Sequence, residues 1–165
     1  EADYLEVIRS KTAKLFAAAA EIGAVVAERP KDEWRALDAF GHNLGMAFQL
    51  VDDVLDYSAR QATLGKAVGD DFRDGKITLP VVLAFNAADA AEKAFWRRTL
   101  EDLEQKKSDF RRAVVMLEKS GALTATVERA REYGLKARQA LEPFPDSEIK
   151  SALLEAVEFS IHRSY

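Results

Sequence analysis

The stretch FQLVDDVLDYSARQATLGKAVGDDFRDGKITLP, Phe48 to Pro80, decides how the rest of the chain is read. Asp52, Asp53 and Asp56 fall within about one helical turn, with no basic residue among them. Upstream, Trp34, Leu37, Phe40, Leu44, Phe48, Val51 and Leu55 follow a three-and-four rhythm, which predicts an amphipathic helix from about Glu33 to Tyr57. At about 100° per residue, Leu44, Phe48, Val51 and Leu55 share one face, and Gln49, Asp52, Asp53 and Asp56 take the neighbouring arc. The carboxylates therefore stand at the edge of the apolar stripe. The next segment, Ser58–Gly75, is polar and glycine-containing, too irregular for a long helix. It is long for a loop, and loops of that length are often functional.

The rest of the chain is rich in helix formers, and only four prolines and eight glycines interrupt them. A first helix is expected over Ala2 to Glu28, with Leu5, Ile8, Leu15, Ala19 and Ile22 at helical spacing. Pro30 ends it, and Asp32 caps the next. Helix resumes near Lys76–Ala88, entered through Thr78-Leu79-Pro80, since proline is tolerated in a first turn. Further helices are expected near Ala90–Lys107, Asp109–Lys119, Leu123–Leu141 and Asp146–Arg163. Nothing alternates like a strand. The expected class is all-α, as a single domain over residues 1–165.

Composition narrows the function classes. A net charge of −4 argues against a nucleic-acid partner, because phosphate backbones favour basic surfaces. The absence of cysteine excludes disulfides and thiolate metal sites and fits a reducing, cytoplasmic setting. The longest apolar runs, Leu15–Ala20 and Ile22–Ala27, fall far short of the roughly 20 residues a membrane span requires. The start, EADYLEVIRS, shows no signal-peptide pattern and no initiator Met, so the chain is expected to be a piece of something longer.

Like charges three or four residues apart repel, more strongly beside an apolar wall. A hard divalent cation is their natural partner, and Mg²⁺ usually binds through one or two carboxylates plus substrate phosphates. A bare DDxxD pattern is more often a solvated acidic face. Two features shift the balance. Gly41 and Gly45 lie upstream near the same arc and leave room for a ligand, or for a closely packed helix. Lys66 and Lys76 follow at short distance, each after a glycine, and with a carboxylate-held cation they make a composite site for a polyanion. Gly65, Gly69 and Gly75 allow the tight turns such a site needs.

The full pattern is Gly45-x-x-Phe48-Gln49-x-x-Asp52-Asp53-x-x-Asp56, then Gly65-Lys66, then Gly69-Asp70-Asp71-x-x-x-Gly75-Lys76-x-Thr78-Leu79-Pro80. It resembles the second aspartate-rich region of the trans-isoprenyl diphosphate synthases. Tyr4-Leu5-x-x-Ile8-x-x-Lys11-Thr12-Ala13-x-Leu15-Phe16 resembles the helix upstream of it in the same family. The resemblance covers nearly all of the chain. It implies an all-α fold around a central cavity and the Mg²⁺-dependent joining of an allylic diphosphate to isopentenyl diphosphate. It further implies that Asp52 and Asp56 hold Mg²⁺, with Asp53 acting through water. By the same resemblance Lys11, Lys66 and Lys76 contact diphosphate or stabilise the developing cation, with Thr12 and Gln49 beside them. Asp70 and Asp71 are read as supporting the loop or the site. Arg163 is read as a surface residue rather than one closing the isopentenyl site. The phrase GDDFRDGKITLP resembles the long-chain, octaprenyl- or decaprenyl-type members. A homodimer is implied for the full-length form.

The departure from the family is the absence of a first aspartate-rich motif. The chain is therefore expected to be the C-terminal half of a synthase, inactive alone. Three rivals remain. A non-catalytic helical partner has no use for a self-repelling charge cluster. A class I terpene cyclase would need a downstream Asn/Asp, Ser/Thr, Glu triad that is not found here. A di-iron bundle would need Glu-x-x-His pairs, and neither His42 nor His162 stands in that spacing.

Overall fold

The computed structural model describes residues 1–58 and 68–163. Those residues are helical throughout their regular structure, and no strand occurs among them. They form two compact units, one from Asp52–Val127 with Glu1, the other from Ala2–Val51 with Glu128–Tyr165.

In the second of these units the chain opens with α1 (Ala2–Ile8), passes through one π turn (Arg9–Ala13) and continues as α2 (Lys14–Val26). The π turn corrects the sequence reading. It inserts a residue, so the buried positions run Ile8, Ala13, Ala17, Ala24, with a step of five across the turn. Leu15 and Ile22, expected on the core stripe, rotate outward and are 72% and 59% exposed.

After Pro30 comes α3 (Lys31–Leu55), the helix that ends in the three aspartates. It packs on α2 through glycine. A Cβ on Gly41 would lie 2.3 Å from the Phe16 carbonyl oxygen, and one on Gly45 would lie 2.7 Å from the Ala13 Cα. The two glycines thus serve close helix packing. Phe40 joins Leu37 and Leu44 in a core shared with Ala137 of α8 (Ala122–Ala140), Leu141 just after it, and Val157 and Ile161 of α9 (Glu148–His162). The Ser147 hydroxyl caps α9 by accepting the Lys150 N–H at 3.1 Å.

The Asp52–Val127 unit holds the end of α3, a short helix α4 (Asp70–Arg73), then α5 (Leu79–Ala87) and α6 (Ala90–Trp96). A capping box of Asp89 and Glu92 starts α6. A second π segment (Arg97–Glu101) ends that helix six residues before the expected Lys107, and α7 (Asp109–Lys119) follows. Tyr57, Phe72, Val81, Phe95, Trp96, Leu100, Met116 and Leu117 form the core of this unit. The expected helix near Lys76–Ala88 begins only at Leu79, because Pro80 fits the first turn and no later one.

The glycine packing gives a direct check. Gly41→Leu must displace the Phe16 and Ala17 backbone, so it should destabilise by at least about 1–3 kcal/mol in urea denaturation. Gly23 has nothing within 4 Å of an added Cβ. Gly23→Ala should instead stabilise α2 by about 0.5–1 kcal/mol.

Candidate functional site

The Asp52–Val127 unit is organised around one carboxylate. The chain leaves α3 at Leu55 and turns through Asp56 and Tyr57. Asp56 is 7% exposed, and its two oxygens accept the backbone N–H groups of Asp70 (3.1 Å) and Asp71 (3.0 Å). Its own carbonyl accepts the Gly69 N–H at 2.9 Å. These bonds cap α4 from fourteen residues away, meeting donors that a helix start otherwise leaves open. Gly69 adopts φ +83°, and a Cβ there would lie 2.5 Å from the Phe110 ring, so glycine is required on both counts.

The far side of α4 carries the lysine. The Lys76 N–H closes onto the Asp71 carbonyl at 2.8 Å, through a turn in which Gly75 has φ +69°. The Lys76 ammonium donates to Asp71 at 2.9 Å and pairs with Asp74 at 3.1 Å. Those hydrogen bonds push the lysine above its ordinary range. Asp71, read from sequence only as a supporting residue, is thus the direct partner of Lys76. Its proximity to Gly75-Lys76 in sequence was the signal.

Asp53 is 1% exposed, and burial, with the negative charges of Asp71 and Asp56 added, pushes its carboxyl up to about 8 against the pull of Lys76. Burial and Asp71 also raise Asp56, while its two backbone N–H bonds oppose the rise. Asp52 is half-buried, and among the described residues its carboxylate takes no hydrogen bond or ion pair. Among the described residues no three Asp, Glu or His side chains converge as a closed metal cage.

The other unit holds the remaining predicted residues. Lys11 and Thr12 lie in the π turn, a local geometry frequent at functional sites. The Thr12 hydroxyl donates to the Gln49 side-chain oxygen at 2.8 Å, while Lys11 is exposed. Arg163 corrects its reading as a surface arginine. Its guanidinium stacks on the Phe48 ring at 3.9 Å and donates to the Phe48 carbonyl at 2.8 Å. A separation of 115 residues gave no sequence signal for this contact. The structure therefore brings Asp53, Asp56 and Lys76 together, with Asp52 on the same helix end, and pairs Thr12 with Gln49. Lys66 lies outside the described residues.

An all-α protein with an aspartate-rich helix end, a glycine turn and a paired lysine is the class that the fold and site define. The chain belongs to the polyprenyl synthetase family, whose model matches residues 1–117. It is 42% identical over 165 residues to the octaprenyl diphosphate synthase of Haemophilus influenzae, covering 100% of this chain and 50% of that protein. Against the octaprenyl diphosphate synthase of Escherichia coli K12 the identity is 37% over 163 residues, with 99% and 50% covered. A polyprenyl synthase from Caulobacter crescentus CB15, solved with calcium and isoprenyl diphosphate, superposes with a TM-score of 0.95 at 48% identity. That match covers 100% of this chain and 50% of the Caulobacter chain. The chain spans about half the length of the curated relatives it matches.

The raised Asp53 carboxyl makes stability pH-dependent without added metal. The folded state keeps the proton up to about 8, whereas the unfolded chain releases it near the ordinary 3.8. This contribution is complete below the unfolded value and is lost as pH rises toward 8. Asp53→Asn should flatten the fall in stability between pH 4 and 8, where each pKa unit is worth about 1.4 kcal/mol. Urea melts at pH 5 and pH 8 measure it, and equal slopes in the two proteins would refute the assignment.

Proposed function

We propose that this chain is one half of a long-chain polyprenyl diphosphate synthase and supplies the second aspartate-rich wall of its active site. In this reading the complete enzyme joins isopentenyl diphosphate to an allylic diphosphate, in the cytoplasm and as a homodimer. The observation that carries the reading is the turn in which Asp56 holds the N–H groups of Asp70 and Asp71, setting Lys76 beside the acidic end of α3. Family membership, and relatives named as octaprenyl diphosphate synthases, support it.

The residues suit magnesium that a substrate completes. Asp52 has free acceptor capacity among the described residues, and Mg²⁺ characteristically uses one or two carboxylates plus substrate phosphates. Asp52 and Asp56 would hold it, with Asp53 behind them. When bound, the ion would supply Lewis-acid stabilisation of the departing diphosphate. That a Caulobacter relative was solved with calcium and isoprenyl diphosphate supports a cation and a diphosphate as ligands of this family fold.

The protein groups then have separate tasks. Lys76, held charged by Asp71 and Asp74, presents a cation to phosphate oxygens, and Lys66 is assigned the same role. The Gln49 side-chain oxygen, fixed by Thr12, gives a dipole whose negative end can face positive charge developing on the allyl group. Lys11 is a further diphosphate contact. Val7, Leu15, Ile22 and Val26 form an exposed apolar stripe along α1 and α2, between 57% and 77% exposed. An uncovered stripe of that kind supports a missing packing partner.

Calorimetry on the full-length polypeptide should show diphosphate binding that requires Mg²⁺ and is lost in Asp52→Ala. Binding indifferent to the metal would sink the reading. Lys66→Ala and Lys76→Ala should each weaken that binding by about 1–3 kcal/mol, the worth of a charge-assisted contact. The 165-residue chain alone should yield no product from an allylic diphosphate, isopentenyl diphosphate and Mg²⁺. Elongation above a no-protein control would show that this half suffices.

A further inference from the structure

The segment from Arg97 to Asp109 carries polar groups that the site described above does not use. Its helix unwinds at Glu101 after a π segment, leaving Thr99 among the last carbonyls, which a helix end does not satisfy. The partly buried Gln105 side chain reaches back to that position. Its amide nitrogen donates to the Thr99 carbonyl at 2.9 Å and to the Phe72 carbonyl at 2.7 Å. Both N–H donors of the amide are spent on backbone oxygens.

Phe72 sits inside α4, between Asp71 and the Gly75-Lys76 turn. Its carbonyl also accepts the Gly75 N–H at 3.1 Å, so Gln105 grips an oxygen within the turn that leads to Lys76. The grip has a fixed base. The Arg98 guanidinium donates to Asp109 at 2.9 Å and to the Glu104 carbonyl, and Asp109 also accepts the Lys106 N–H at 2.8 Å. Leu103 adopts φ +56° and presses on Gly75, where an added Cβ would lie 2.4 Å from its methyl carbon. The turn bearing Asp71 and Lys76 is therefore held at one end by Asp56 and at the other by Gln105.

We propose that Gln105 is a positioning residue that sets the Lys76 ammonium for diphosphate through the Phe72 carbonyl, an inference that rests on the functional reading above. Gln105 itself touches neither the aspartates nor Lys76 among the contacts described. The test is a double-mutant cycle in the full-length polypeptide, measuring Mg²⁺-dependent binding of inorganic diphosphate by calorimetry. Gln105→Leu should weaken binding by about threefold to tenfold, as loss of a neutral hydrogen bond would. In a Lys76→Ala background the same change should cost less than about twofold, since its effect passes through the lysine. Equal losses in both backgrounds would make Gln105 a general structural residue and overturn the proposal. Gln105→Glu keeps the shape and removes both donors, and it serves should the leucine variant fail to fold. A ligand-free readout accompanies it: hydrogen exchange over residues 71–78 should accelerate in Gln105→Glu while α8 keeps its protection. Unchanged exchange in the turn would also overturn the proposal. If the unsubstituted polypeptide shows no Mg²⁺-dependent binding, the functional reading falls and takes the role of Gln105 with it. Binding with additive losses removes the Gln105 proposal alone.

Discussion

The two hydrogen bonds from Asp70 and Asp71 to the Asp56 carboxylate are the constraint on which the acidic unit depends. A buried carboxylate without donors is costly, and a helix start with open N–H groups is costly too. Each problem solves the other here. The bond pair also fixes the direction in which the chain returns after the glycine at position 69, and so fixes where Phe72 enters the core. Phe72 packs on Phe110 at a ring distance of 5.8 Å, and Tyr57 stacks on the same ring at 6.1 Å. The polar anchor and the aromatic cluster are thus one device, with the carboxylate on one side and the rings on the other.

Two π segments shape the described residues, each within its own unit. The first, at Arg9–Ala13, moves the buried face of α2 by one position and places Thr12 against Gln49. The second, at Arg97–Glu101, ends a helix early and frees Thr99's carbonyl for Gln105. A π turn weakens local helix geometry and is kept where another contact compensates. In both cases the compensating contact involves a glutamine side chain, Gln49 far along the chain from Thr12 and Gln105 six residues on from Thr99.

The all-α class and the long helix ending in aspartates were legible from periodicity. Gly41 and Gly45 could be read as room for a ligand or for a close helix, and only the packing against Phe16 and Ala13 decides for the helix. Asp109–Lys119 was read to the residue, since its polar flanks leave no other boundary. The exposure of Leu15 and Ile22 was not legible, because a single inserted residue at the π turn reverses a face without changing composition. The α4 turn was read as irregular loop, because its cap comes from Asp56 rather than from a neighbouring residue. Arg163 on Phe48 and Gln105 on Phe72 are long-range contacts of single polar side chains, which leave no periodic trace. The aspartates and lysine of the site were visible as types and spacings, whereas the Asp71–Lys76 pairing needed the turn geometry.

Charge crowding explains why this unit is built with so many backbone donors. The negative charge of Asp71 raises the proton affinity of both Asp53 and Asp56, beyond what burial does; Lys76 opposes the rise at Asp53, and the two backbone N–H bonds oppose it at Asp56. Two responses are open to such a cluster: a carboxyl takes up a proton, or a cation enters. The first is already expressed in Asp53, whose burial makes the neutral form the cheaper one at neutral pH. The second needs a carboxylate left available at the edge of the cluster, and among the described residues Asp52 takes no hydrogen bond or ion pair. Burial therefore divides three adjacent aspartates into different roles. Asp53 is the proton holder, Asp56 has each oxygen engaged by a backbone N–H, and Asp52 takes no hydrogen bond or ion pair among the described residues.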